Sequence, residues 1–458
     1  MSRRAGDSGR PGENMGVTHV AGPLPGPIGR KLLNRWHRYE ANVVGYQAPV
    51  VWKTGLGCVV TDVDGNTYLD WTSGVLVANV GHCHPRLVEA VRRAAGELLN
   101  NYECANEYRI LAAERLVRAL PSHLDRCFFL STGSEAIEAA VRLMKRRTGE
   151  FEILSFEGGF HGRTPGAAAL GGLAGPKRGY GPTVPGIIRA PYPNPYRDPC
   201  GWCRGAPRFA RYFAHLDALV EANSTGSLAG VLVEPYQGAA GFVFPPRGWL
   251  RALQDWSRAH GLLFALDEVQ SSYGRTGRMW AMEHEALTPD VVTLGKGIGS
   301  GIAVSALAAT SDVFSCLGPG EMSSTLGGNP VASSAVLAVL DIMDQDDLVR
   351  NAARMGRYLK SQLRAVAARC PYLGDVRGMG LVLGLEFVRD KRTREPAPEL
   401  IRPVIDACAR NGLLVGAVGM HGNVLRVAPP LVITRAELDE SVAILDKVLK
   451  NLKPKGRR

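Results

Sequence analysis

The sequence predicts an α/β fold: a large domain with a mostly parallel mixed sheet flanked by helices, joined to a smaller α+β domain. Three observations carry that reading. The middle of the chain alternates short apolar runs with amphipathic stretches. Those runs are apolar throughout, as strands buried on both faces should be. After Asp341 the texture changes to a long helix, Gly-rich strands and a closing helix.

Taken in order, residues 1–30 hold Arg, Gly and Pro but no apolar stretch of signal-peptide length, and read as a mobile tail of a cytoplasmic protein. Residues 31–75, with a Gly65-Asn66 turn between two strand-like runs, are expected to pack with the small domain. The large domain spans 76–329, with strands expected at 127–130, 151–155, 230–233, 262–266 and 291–294 and helices at 135–146 and 249–260. The small domain, 330–458, opens with a helix at 330–341, continues through Gly-rich strands in 374–387 and closes with a helix at 435–452.

A chain of 458 residues exceeds the ~250–300 at which single cores stop growing, so two packed domains are expected. No apolar run approaches the ~20 residues of a membrane span, which excludes a helical membrane protein and predicts a soluble one. The net charge of +11 sits mostly at the two ends, in 1–38 and 444–458, leaving the body near neutral. That is not the basic face of a nucleic-acid binder. Seven of nine cysteines stand singly in the chain, several in apolar segments such as Cys127-Phe128-Phe129, as free thiols of a reducing compartment do. Cys200 and Cys203 form a CxxC in a Pro-rich stretch; without a second pair it does not define a metal site, and none is expected.

Ligands of open α/β sheets gather at the carboxyl ends of strands. After Leu130 comes Ser131-Thr132-Gly133-Ser134-Glu135, which offers free amides at a helix start and so a seat for a phosphate; the same residues also make an ordinary helix cap. After Leu266 comes Asp267, an acid that must meet a cation if buried. After Leu294 comes Gly295-Lys296-Gly297, where desolvation would make the lysine a Schiff-base nucleophile, or the loop would simply be exposed. Phosphate cradle, pyridinium partner and lysine are the three parts that pyridoxal phosphate requires.

With these in place the chain resembles the class III, or omega-type, aminotransferases of pyridoxal-phosphate fold type I. The resemblance runs through Gly81-His82-Cys83-His84-Pro85, Ser131–Glu135, Phe160-His161-Gly162-Arg163-Thr164, Glu234-Pro235-Tyr236-Gln237-Gly238, Asp267-Glu268-Val269-Gln270, Gly274-Arg275-Thr276-Gly277, Lys296-Gly297 and Thr325-Leu326-Gly327-Gly328-Asn329-Pro330. It implies pyridoxal 5′-phosphate on Lys296 and its phosphate at Thr132, Gly133 and Ser134, with Thr325 completing that seat from the partner of a homodimer. It further implies Phe160 and Val269 on the two faces of the ring, Gln270 at the ring hydroxyl, Asp267 at the ring nitrogen, and His161 and Glu234 as supports behind.

Where the family often has a glutamate pairing with an arginine near the C-terminus, this chain has Ala239, while the arginine survives as Arg426. Arg426 is then free to bind a carboxylate or to swing aside, unless another acid neutralises it. Ser272 and Leu326 also depart from the family's usual residues. The expected reaction moves an amino group from an amine or amino-acid donor to a carbonyl acceptor: an aldehyde, a keto acid or an oxidised amino sugar. The alternatives on the same scaffold are an epimerase, racemase or eliminating enzyme, and a non-enzymatic sensor.

Overall fold

The computed structural model describes residues 16–45, 47–203 and 209–452. A seven-stranded sheet forms the centre. Across it the strands run Arg126–Leu130, Ser305–Ala309, Val291–Leu294, Leu263–Asp267, Leu228–Val233, Glu152–Phe156 and Ile187–Ala190. Ser305–Ala309 is antiparallel to both neighbours and every other pairing is parallel. Six strands therefore end on one edge of the sheet.

Both faces of that sheet are covered, which explains the uninterrupted apolar strands. Ala265 and Leu232 turn to the face covered by the Gly133–Thr148 helix, through Ala136, Ala140 and Leu143. Their neighbours Phe264, Leu266 and Val231 turn to the other, against Leu116, Leu253 and Val336 of the helices Glu107–Ala119, Trp249–Ala259 and Pro330–Gln345.

Two smaller sheets follow from the chain ends. Leu373–Met379, Val382–Phe387, Val424–Val427 and Gly416–Val418 make an antiparallel four-stranded sheet. Trp52–Leu56, Val59–Asp62 and Thr67–Asp70 make a meander whose turn is held by Asp62, which accepts the amides of Asp64 and Asn66. The meander gains a fourth, parallel strand from Leu413–Leu414.

The chain departs from the sequence reading near its start. Residues 1–15 of the expected tail lie outside the described residues, but Gly16 to Arg30 do not behave as a tail. Val17 and Thr18 donate their amides to Glu440, His19 bridges to Thr67, and a helix runs from Pro27 to Tyr39. A short apolar content concealed this, because the anchor is a carboxylate more than 400 residues away. Two strands, Ile187–Ala190 and Ser305–Ala309, also add to the five expected.

Candidate active site

Every residue expected to carry chemistry stands where a central strand ends, except Arg426 and Thr325. The Gly133–Thr148 helix begins immediately after Arg126–Leu130. Thr132 caps it: its hydroxyl accepts the Glu135 amide at 3.2 Å, and the Glu135 carboxylate accepts the amides of Ser131 and Thr132 at 2.8 and 2.9 Å. Gly133 and Ser134 stand in the first turn, whose amides have no acceptor within the helix, and both line the cavity, where the helix dipole favours an anion. Gly133 is bare for a packing reason: a Cβ there would lie 2.9 Å from Val269 Cγ1, and one on Gly295 would lie 3.0 Å from the same atom. Val269 thus locks three strand-end loops together.

Asp267 closes its strand and is buried. Its Oδ1 accepts the Val269 amide at 3.0 Å and the Thr293 hydroxyl at 3.3 Å, and its Oδ2 lies 2.7 Å from His161 Nδ1. Burial works to lower the His161 pKa, but the hydrogen bond and charge of Asp267 prevail and hold it above the ordinary value. Beside them, burial pushes the Glu234 carboxyl up to about 7, against the lowering field of His161 and with the raising field of Asp267. Glu234 also accepts the amides of Phe160 at 2.9 Å and Gly238 at 3.2 Å, fixing the loop that presents the Phe160 ring. Arg163 lies over that ring, 5.8 Å from its centroid.

Lys296 follows Val291–Leu294 with φ +47°, a left-handed backbone uncommon for a residue with a side chain. Burial lowers its amine pKa, opposed by Asp267 and Glu234 and assisted by Arg426. These groups line one cavity of about 400 Å³. Thr132, Gly133, Ser134, Phe160, His161, Glu234, Ala239, Asp267, Val269, Gln270, Lys296 and Arg426 all reach it. Thr325 does not; it is exposed on the surface.

Tyr236, Phe242, Val418 and Val75 also line the cavity and were not foreseen. Tyr236 lay inside a motif already quoted, whereas Val418 belongs to the small-domain sheet and carries no local signal. Val75 lies in Ser73–Leu76, four successive residues with φ between +48° and +69°. For Val75 and Leu76 a left-handed backbone costs ~1–2 kcal/mol each. The turn is held by the Ser73 hydroxyl, which donates to the Ala428 carbonyl at 2.5 Å.

Arg426 stands in Val424–Val427 and is 4% exposed. Its Nε and Nη2 are buried without a hydrogen-bond partner, and among the described residues no carboxylate lies within ion-pair distance. The alternative of neutralisation by another acid in contact is therefore not met. Desolvation lowers its pKa to about 10, opposed by the more distant Asp70.

A flat ring bearing an anion and a hydroxyl fits this cavity on two structural counts. Free amides wait at one helix start, and Gln270 Oε1 is buried without a partner. Among the described residues no group of three or more His, Cys, Asp or Glu is placed to hold a metal, and no helix is long and apolar enough to cross a membrane. Cys200 and Cys203 lie in turns and are not among the residues lining the cavity, with the amide of Cys203 bonded to Asp198.

Strand-end groups, Lys296 and Arg426 thus share one cavity of an α/β fold built on a mostly parallel sheet. The chain is 35% identical to a 4-aminobutyrate aminotransferase of Mycobacterium tuberculosis, over 94% of this chain and 97% of that one. It is 33% identical to an alanine/serine racemase of Pyrococcus horikoshii, over 93% and 91%. The structure of an (S)-enantioselective omega-transaminase from Thermomicrobium roseum superimposes with a TM-score of 0.87 at 31% identity, covering 92% and 98%. The family model for class III aminotransferases matches residues 41–449, and the chain belongs to that family. It is an aminotransferase of a family that depends on pyridoxal phosphate.

Proposed function

We propose that the protein binds pyridoxal 5′-phosphate at Lys296 and transfers an amino group to an acceptor whose carboxylate is held by Arg426. When bound, the cofactor supplies an electron sink for the substrate carbon that loses a proton. Gly133 and Ser134 would take its phosphate on their amides, Phe160 and Val269 would enclose the ring, and Gln270 would meet the ring hydroxyl. Asp267, steadied by His161, would hold the ring nitrogen protonated. Lys296 Nζ, as the free amine, would move the proton at the substrate carbon. Its pKa, lowered by burial, leaves more of the amine free to do so.

The observation that carries the acceptor class is the Arg426 guanidinium, buried, without a partner and in the same cavity as Lys296. A buried cation gains far more from a bound carboxylate than from an uncharged aldehyde or oxidised amino sugar. An α-keto acid such as pyruvate and an uncharged aldehyde, offered with one amine donor, test this. The keto acid should be aminated with the higher kcat/KM, and Arg426→Leu should cost that reaction ~100-fold or more. Preference for the aldehyde, indifferent to Arg426→Leu, would overturn the assignment. Solvent isotope exchange at the donor carbon without keto product would point instead to racemisation.

The same reading includes a homodimer, which the exposed surface around Thr325 supports. Thr325 and Leu326 are exposed, and the neighbouring Met322 and Ser324 share a surface hollow with Tyr102 and Ile110, both exposed apolar residues. A second subunit placed there would cover them and bring its Thr325 to the phosphate seat.

A further inference from the structure

We infer that Gln47 is a positioning residue for the Arg426 guanidinium and thereby sets acceptor specificity; the inference rests on the carboxylate reading above. Gln47 precedes the Trp52–Leu56 strand and is some 380 positions from Arg426 in sequence. Its Oε1 is buried with no hydrogen-bond partner, as are Arg426 Nε and Nη2.

These orphaned groups converge on one point. Gly416 is the register partner of Arg426 across the small-domain sheet. A Cβ on Gly416 would lie 2.4 Å from Gln47 Oε1 and 2.6 Å from Arg426 Nη2, so the two atoms stand no more than about 5 Å apart. Any side chain at 416 would fill that gap, and glycine leaves it open to both groups. The Gln47 backbone is itself tethered, its carbonyl accepting from Arg402 on the Ile401–Arg410 helix at 3.4 Å.

The chemistry of the pair is complementary. A guanidinium only donates, and the amide Oε1 only accepts. Arg426 lines the cavity, whereas Gln47 is not among its lining residues. Ala239, on the cavity side, has no group to offer. An amide that accepts from the guanidinium when the acceptor binds would fix its direction without cancelling its charge. A carboxylate would fix it equally well and remove the charge on which the substrate depends. Gln47 therefore biases Arg426 toward an anionic acceptor while leaving its charge intact.

The full-length holoenzyme tests this through the variants Gln47→Glu and Gln47→Leu, assayed with pyruvate and with a carboxylate-free aldehyde. For Gln47→Glu, the ratio of kcat/KM for pyruvate over the aldehyde should fall ~10-fold or more, through KM for pyruvate rather than kcat. Gln47→Leu should lower the ratio by a smaller factor, because the guanidinium loses its support but keeps its charge. An unchanged ratio in both variants, or an equal loss with both acceptors, would overturn the inference. If wild-type turnover of pyruvate proves indifferent to Arg426→Leu, the carboxylate reading fails first and the inference falls with it.

Discussion

Asp267 shows how little room the site leaves for substitution. Its two oxygens already accept an amide, a hydroxyl and the imidazole of His161, so the carboxylate is fixed before any ligand arrives. Asp267→Asn keeps the shape but removes the charge that would hold a ring nitrogen protonated. The expected result is cofactor retained on the protein with kcat lowered ~100-fold or more, measured by single-turnover kinetics. Retention of full turnover would remove Asp267 from the chemistry. At this scale much of the site was legible: Asp267, Lys296 and the Gly133-Ser134 turn each follow an apolar run, and strand ends are where such folds place ligands. Val418 and Gln47 were not legible, because their relation to the site passes through a second sheet and a glycine rather than through any local pattern.

The elements behind the site carry a buried acid of their own. Glu268, next to Asp267, is fully buried and accepts the amides of Ala281 and Met282 at 2.9 and 2.8 Å and the Ser271 hydroxyl at 2.8 Å. Burial outweighs those bonds and raises its pKa from 4.5 to about 7. Because the folded value lies above the unfolded one, this contribution to stability is complete below pH 4.5 and is lost as pH rises through 7. The full span amounts to ~3 kcal/mol. Thermal unfolding should therefore show a fall in stability from pH 5 to pH 8, to which the raised Glu234 carboxyl also contributes, and Glu268→Gln should make that fall shallower; an unaltered pH profile would contradict it. Strand legibility follows the same logic of burial. Runs of Val, Leu and Phe at the sheet centre announced themselves, but Ser305–Ala309 reads Ser-Ala-Leu-Ala-Ala, a composition suited to a helix, and is a strand only because its neighbours make it one. Ile187–Ala190 is a short edge strand after a Pro- and Gly-rich stretch and gave as little local signal.

Across the whole molecule, the exposed Thr325 separates a self-contained site from a shared one. If the partner supplies it, Lys296→Ala and Thr325→Glu subunits, each inactive alone, should regain activity when mixed and allowed to exchange, because one site of the mixed dimer is intact. Mixed dimers that form and stay inactive would refute the shared site. Beneath every step stands the claim that Lys296 carries the cofactor, and that is tested most directly by covalent mapping. The protein loaded with pyridoxal phosphate should show a visible absorbance band that borohydride abolishes, with mass spectrometry placing the reduced cofactor on the peptide containing Lys296. A reduced cofactor found on another lysine, or on none, would contradict the account.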